Sequence, residues 1–331
     1  MKIAIDAMGG DYAPSEIIKG AILGASEHGV GIILVGPEQI IKQELAKQNG
    51  ANADIEIVNA SEYLVEGEHP AFALRTKRNA SISVATRLVK EGRADAVIGA
   101  GPTGGVVAAA LQILGSIEGI ARPVVGGNFL GFAPKTLLLD VGGNVDCRPD
   151  QLLDFGIVGT VYARKILGIE NPTVALLSNG AEEGKGNEPV RESYALFQKS
   201  GLNFIGNVEG SDIPSGRANV IVCDGFVGNV LIKFCEALGK TAAGWLEEKL
   251  EGRLPRSEIK ELSDSLVLAT NQADAAGGGP LLAVNGVAIV AHGRSKAAEI
   301  ARAIAQAKSA VELDLVGSLK SEFETARKKV Q

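Results

Sequence analysis

Residues 2–35 read KIAIDAMGGDYAPSEIIKGAILGASEHGVGIILV. Ile3 and Ile5 stand in phase over 2–6, the period-two signature of a strand. Asp6-Ala7-Met8-Gly9-Gly10-Asp11 then forms a glycine-containing turn. Over 15–28 the apolar residues Ile17, Ile18, Ala21, Ile22 and Ala25 share one helical face. The run 31–35 is a continuous apolar stretch, as expected of a buried strand. Strand, turn, amphipathic helix and strand in this order point to an α/β fold.

The same alternation continues along the chain. Further strands are expected at 54–58, 95–98, 136–140, 173–177, 220–223 and 287–290. A helix runs from Pro37, tolerated in a first turn, to a stop at Gly50. Other helices are expected at 81–91, 104–114, 150–167, 189–199, 229–250 and 296–313. The strands are near-continuous Val/Ile/Leu runs, so the sheet should be mostly parallel and covered on both faces. No Ser/Gly/Pro linker separates two halves. Residues 1–331 therefore read as a single catalytic α/β domain, with a helical, less regular segment near 229–279. Arg327, Lys328 and Lys329 read as a solvated helix end.

Composition narrows the function classes. Glycine supplies 42 of 331 residues, nearly twice the usual share of about 7%. The excess has no Gly-X-Y period, which excludes collagen, and suggests tight turns and close backbone approaches. Net charge is −6, which argues against a nucleic-acid partner. Cys147, Cys223 and Cys235 are odd in number and widely spaced, a pattern of buried thiols in a reducing compartment. His28, His69 and His292 are too scattered for a metal cluster, so no metal and no cofactor is expected. The N-terminus reaches Asp6 before any long apolar run and does not read as a signal peptide. The stretch 96–116 is uncharged, but its five glycines and Pro102 fit a strand, a turn and a buried helix better than a membrane span.

The residues that follow the strands carry the chemistry. Six loops combine glycine with polar residues: 6–11, 99–105, 140–144, 178–188, 224–229 and 292–295. In a parallel sheet such strand ends share one edge, where open α/β sheets bind ligands. Glycine-rich turns that open helices present N–H groups at a positive dipole end, which suits phosphate or another oxyanion. The G-x-x-x-x-G-K-[ST] loop, the dinucleotide fingerprint and Gly-x-Ser-x-Gly are all absent. Asn179, Lys185, Asn187 and Asn229 are neutral or cationic donors suited to oxyanion stabilisation. Together these point to a transferase or hydrolase that handles phosphate.

Several long motifs also resemble the bacterial phosphate acyltransferase family PlsX. They are Ile3-Ala4-Ile5-Asp6-Ala7-Met8-Gly9-Gly10-Asp11, Leu138 through Cys147, Leu177-Ser178-Asn179-Gly180 through Lys185-Gly186-Asn187-Glu188, Asp224-Gly225-Phe226-Val227-Gly228-Asn229, and Pro280 through Gly286 before His292-Gly293. The resemblance extends from residue 3 to about residue 300. It implies a three-layer α/β/α sandwich with a mostly parallel sheet, like isocitrate and isopropylmalate dehydrogenases. It implies a cytoplasmic homodimer with peripheral membrane contact. It also implies transfer of a fatty acyl chain from acyl carrier protein to orthophosphate, giving acyl phosphate for phosphatidic acid and phospholipid synthesis. Two places depart from the family pattern. Ala100-Gly101-Pro102-Thr103-Gly104-Gly105 stands where the family has Ala-Gly-Asn-Thr-Gly-Ala, and His292-Gly293-Arg294-Ser295 where it has His-Gly-Ser-Ser.

Carried onto this chain, the resemblance assigns Lys185 to the phosphate and developing charge, and Asn229 to the carbonyl oxygen. Asp6, Gly9, Gly10, Gly101, Thr103, Gly104, Asn144, Asn179, Gly180, Asn187, Asp224, Gly225 and His292 would shape the substrate and phosphate pocket. Bland readings stand beside these. Lys185 also fits a solvated loop, Asn229 a helix N-cap, and His292 a structural role. Asp6, Asp140 and Asp224 fit orienting groups as well as acids or bases. The carrier is acidic, so docking calls for a local basic patch: Arg75, Lys77 and Arg78, or Lys249, Arg253, Arg256 and Lys260. Phe234, Leu238 and Trp245 form an apolar stripe that fits core or a dimer interface before a membrane face. The competing functions are a phosphotransacetylase-like enzyme using acyl-CoA, and a non-catalytic lipid- or nucleotide-binding scaffold.

Overall fold

A computed structural model describes residues 1–48, 54–65, 67–68 and 70–327. In chain order the elements are β1 (Lys2–Asp6), α1 (Ser15–His28), β2 (Gly31–Gly36), α2 (Glu38–Lys47), β3 (Ile55–Asn59), α3 (Pro70–Thr76), α4 (Ser81–Lys90), β4 (Ala96–Gly99) and α5 (Thr103–Ile113). Then come β5 (Val124–Asn128), β6 (Leu137–Leu139), α6 (Pro149–Lys165), β7 (Thr173–Leu177), α7 (Glu188–Lys199), β8 (Asn203–Val208), β9 (Val220–Val222) and α8 (Gly225–Leu250). Last are α9 (Arg256–Thr270), α10 (Gln272–Ala275), β10 (Gly279–Leu282), β11 (Val287–Val290), α11 (Ala297–Glu312) and α12 (Leu315–Arg327). The expected strands and helices are all present among the described residues, most within two residues of the expected ends. The stop at Gly50, His69, and Lys328 with Lys329 lie outside the described residues.

The chain divides into two compact units, Met1–Val125 with Ala276–Glu324, and Gly126–Ala275 with Thr325–Gln331. Of the three crossings, the first falls inside β5 and the second lies beside the Gly277-Gly278-Gly279-Pro280 turn. In the first unit β3, β2, β1, β4 and β11 run parallel in that order, and β10 joins antiparallel between β11 and the start of β5. Ile3, Ile33, Val97 and Ile289 are buried along these strands. Helix α1 packs closely on α11 because Gly20 and Gly24 leave room: a Cβ on Gly20 would lie 2.5 Å from Ile300 Cβ.

In the second unit the end of β5 pairs antiparallel with β6, and β6, β9, β7 and β8 continue in parallel. Leu138, Ala175, Val208 and Ile221 form its core with Phe129 and Ile213. The segment expected to be least regular is a helical hairpin. Small residues on α8 admit α9: Ser263 Oγ donates to the Ala243 carbonyl at 3.1 Å, and a Cβ on Gly239 would overlap Thr270. Helix α8 also begins at Gly225, one turn earlier than expected, because Asp224 caps it by accepting the Val227 N–H at 2.8 Å.

Candidate active site

The six glycine-bearing loops fall into two groups of three, one on each unit. On the first unit, β1 ends at Asp6, which is buried and accepts the Met8 N–H at 3.0 Å. Burial pushes its carboxyl above the ordinary carboxylate range. The following turn lies against the turn after β4, since a Cβ on Gly9 would come 2.7 Å from Gly101 N. Gly10 holds φ at +112°, a value glycine adopts freely. Asp11 N–H donates to the Gly293 carbonyl at 2.7 Å, tying in the turn after β11. These turns meet where the strand order reverses between β1 and β4, the usual ligand crevice of open α/β sheets. Thr103 and Gly104 are exposed in the first turn of α5. Pro102 starts that helix, its carbonyl accepting the Gly105 N–H at 2.7 Å. His292 is half-buried just beyond β11.

On the second unit, the organising group is Asp140, fully buried after β6. Its carboxylate accepts N–H groups from Val141 at 2.7 Å, Gly143 at 3.1 Å and Asn144, and the Asn144 side-chain amide at 2.9 Å. This carboxylate is a hub for the 141–144 turn, with its lone pairs occupied by donors. Asn144 is buried in that network, and its carbonyl accepts the Gly225 N–H at 2.7 Å. Gly225 and Gly228 allow α8 to start directly on this turn: a Cβ on Gly225 would lie 2.8 Å from Asn144 O, and one on Gly228 would overlap the Asp140 carbonyl. Asn229, half-buried in the second turn of α8, lies over Gly142; it is not an N-cap. Cys223 is buried, and desolvation with Asp224 and Asp140 nearby pushes its thiol well up, which makes it inert.

The loop after β7 holds Lys185. Asn179 Oδ1 accepts the Gly186 N–H at 2.8 Å, and Asn187 Oδ1 caps α7 by accepting the Val190 N–H at 3.2 Å. The Lys185 stem packs over Gly180, where a Cβ would lie 2.7 Å from its Cγ. Lys185 itself is exposed, with no ion pair among the described residues. Its neighbour Gly186 borders a cavity of about 460 Å³, walled by Ser178, Asn179, Asn187, Asp224 and Val227 among others; neither Lys185 nor Asn229 is in that wall. The starts of α7 and α8 both border this cavity, so the positive ends of two helix dipoles converge on one space; of their first-turn N–H groups, those of Val190, Val227 and Gly225 are already held by Asn187, Asp224 and Asn144, and Pro189 has none. That arrangement attracts an oxyanion. Ser178, Cys223 and Val227 were not singled out as site residues from sequence, since apolar and small wall residues carry no chemical signal.

The sequence profile of a family described as "Fatty acid synthesis protein" matches residues 1–317. A phosphate acyltransferase of Pelotomaculum thermopropionicum is 47% identical over 332 residues, covering 98% of this chain and 96% of its own. The chain belongs to the phosphate acyltransferase family. Another family member, from Gloeobacter violaceus, is 46% identical and covers 94% of both chains. Among solved structures, a phosphotransacetylase from Streptococcus pyogenes matches with a TM-score of 0.60 at 20% identity, covering 98% of this chain and 94% of that one. A branched-chain phosphotransacylase from Enterococcus faecalis gives 0.59 at 17%, covering 94% and 99%. These two establish the likeness of fold: mixed α/β with a large, mostly parallel sheet.

Proposed function

We propose that the chain transfers a fatty acyl group from acyl carrier protein to orthophosphate. The observation that carries this reading is the cavity of about 460 Å³ bordered by the starts of α7 and α8 and by Gly186, the residue after Lys185. Phosphate is already a competent nucleophile at neutral pH, so the site needs positioning and charge neutralisation rather than a Ser or Cys nucleophile. A phosphate oxygen attacks the thioester carbonyl carbon. The tetrahedral oxyanion collapses, the C–S bond breaks and the carrier thiolate leaves and takes up a proton from solvent. Lys185 faces the phosphate and the developing charge, and Asn229 donates to the carbonyl oxygen. The N–H groups at the cavity and the side chains of Asn179 and Asn187 shape the anion site. Asn144, Gly180, Asp224 and Gly225 act by holding these loops in place. On the first unit Asp6, Gly9, Gly10, Gly101, Thr103, Gly104 and His292 build a second glycine-lined edge for substrate.

The same reading extends to partners. The fold is a three-layer α/β/α sandwich of the isocitrate and isopropylmalate dehydrogenase kind, supported by the parallel strands with helical crossovers in each unit. Phe226, Phe234, Leu238 and Trp245 are all more than half exposed on α8, a row that a second copy would cover in a homodimer. Liposome flotation with and without Trp245→Ala separates that role from peripheral contact with the inner face of the membrane; no described helix is long and apolar enough to cross one. About the turn from α8 to α9, Arg256 pairs with Glu251 at 3.8 Å and Lys260 with Asp264 at 2.8 Å, so Lys249 and Arg253 are the cations left to meet the acidic carrier among the described residues of that turn. The test supplies the protein with orthophosphate and either acyl carrier protein thioesters or acyl-CoA. Acyl phosphate and free thiol formed preferentially from the carrier substrate are expected. Preference for acyl-CoA supports the phosphotransacetylase alternative, and no turnover with either supports a scaffold.

A further inference from the structure

We infer that Asn207 is a positioning residue for acyl transfer, acting through Lys185. Asn207 lies on β8, is only 3% exposed, and belongs to no motif that marks the site in the sequence. Its Nδ2 donates to the Glu182 carbonyl at 2.8 Å. That same carbonyl accepts the Lys185 N–H at 3.0 Å. One carbonyl oxygen therefore joins a rigid core strand to the turn that carries the lysine. On the other side of Lys185, the Gly186 N–H is fixed by Asn179 Oδ1. Between these two ties the lysine stem lies over Gly180.

The anchoring strand is itself well placed. Ser178 N–H donates to the Val208 carbonyl at 2.9 Å, so the end of β8 also fixes the start of the 178–188 loop. Asn207 uses only the donor half of its amide among the described residues; its Oδ1 has no hydrogen-bond partner there. Retaining a buried acceptor with no partner is costly, and the donor half reaches the lysine turn. Four of the five residues from 181 to 185 are charged or glycine and all are exposed, so the loop has little packing of its own to set its shape. The Asn207 hydrogen bond supplies what packing does not.

The inference rests on Lys185 facing phosphate, and a double-mutant cycle separates the two claims. The measured quantity is kcat/KM for orthophosphate, from thiol released with saturating acyl carrier protein thioester. Asn207→Ala in the wild-type background is expected to lower it about tenfold, through misplacement of the lysine. In a Lys185→Ala background the same substitution should change it less than about twofold, since the group it positions is gone. A merely structural role predicts equal losses in both backgrounds, and that result overturns the inference, as does an Asn207→Ala enzyme with unchanged kcat/KM. Full activity of Lys185→Ala alone overturns the reading of Lys185 instead. Circular dichroism verifies folding, and Asn207→Ser, which keeps a small polar side chain, takes the place of Asn207→Ala in the cycle where the alanine variant does not fold.

Discussion

Asp140 provides a quantitative test of how the site is built. Its carboxylate collects four donors from three residues, Val141, Gly143 and Asn144, while fully buried. In Asp140→Ala the two Asn144 donors lose this acceptor while staying buried. A buried unsatisfied donor costs about 1–3 kcal/mol, so this pair contributes roughly 2–4 kcal/mol. Val141 and Gly143 are half-buried and can regain water, so they add about 1 kcal/mol together. The sum, about 3–5 kcal/mol, is a large part of the 5–15 kcal/mol typical of whole-protein stability. For a chain of 331 residues, at roughly 1.4 °C per kcal/mol, the midpoint of thermal unfolding falls by about 4–7 °C. Asp140→Asn keeps one acceptor but turns an amide N–H₂ toward other donors, so it should recover less than half of the loss. Calorimetry measures both variants, and hydrogen exchange at Val141, Gly143 and Asn144 reports the turn directly. A calorimetric midpoint for Asp140→Ala within about 2 °C of wild type would refute the hub assignment.

Two further perturbations probe neighbouring links. Gly228→Ala places a methyl inside the radius of the Asp140 carbonyl oxygen and 3.2 Å from Cys223 Sγ, so α8 must shift; urea unfolding should show a loss of about 1–3 kcal/mol, and no loss would mean the helix start is pliable. Asp6 has a carboxyl raised by burial, so the unfolded chain ionises first as pH rises. The native state thus loses stability between the ordinary carboxylate range and the raised value, and keeps it below that range. Asp6→Asn cannot ionise, so its thermal midpoint should gain on wild type from pH 4 to pH 8; a constant difference contradicts the shift.

The sheet was readable because its strands are short, almost wholly apolar runs bounded by turn residues, as at 173–177 and 287–290. The strands that escaped notice interrupt that pattern. Gly206 breaks β8, Gly126 and Gly127 occupy the middle of β5, and β10 begins with Gly279 and Pro280. They are strands because neighbouring strands supply their hydrogen bonds, and tertiary pairing overrides weak propensity. Helix α9 was hidden by its many charges, yet its Ile259 and Ser263 are buried against α8. At the site, the glycine loops were legible as a group, while their distribution over two units was not. The hub role of Asp140 was equally hidden, since a strand-ending aspartate looks alike whether it orients backbone or moves protons. Asn207 gave no signal, because an isolated polar residue in a strand says nothing about the carbonyl it will meet.

The excess of glycine can now be traced to specific contacts. Gly9 admits Gly101, Gly225 and Gly228 admit the Asp140 turn, and Gly180 admits the lysine stem. Each is a close approach at the edge of a sheet where a Cβ would intrude. Glycine here supports close packing at the edge of the proposed anion site rather than general mobility. The measurement that tests the account most directly is acyl phosphate formation by Lys185→Ala, with thermal unfolding as the control for folding. The account expects a fall of about 10²–10³ in turnover at an unchanged unfolding midpoint, as for loss of a charge-stabilising donor. Wild-type turnover in a folded Lys185→Ala enzyme would contradict it.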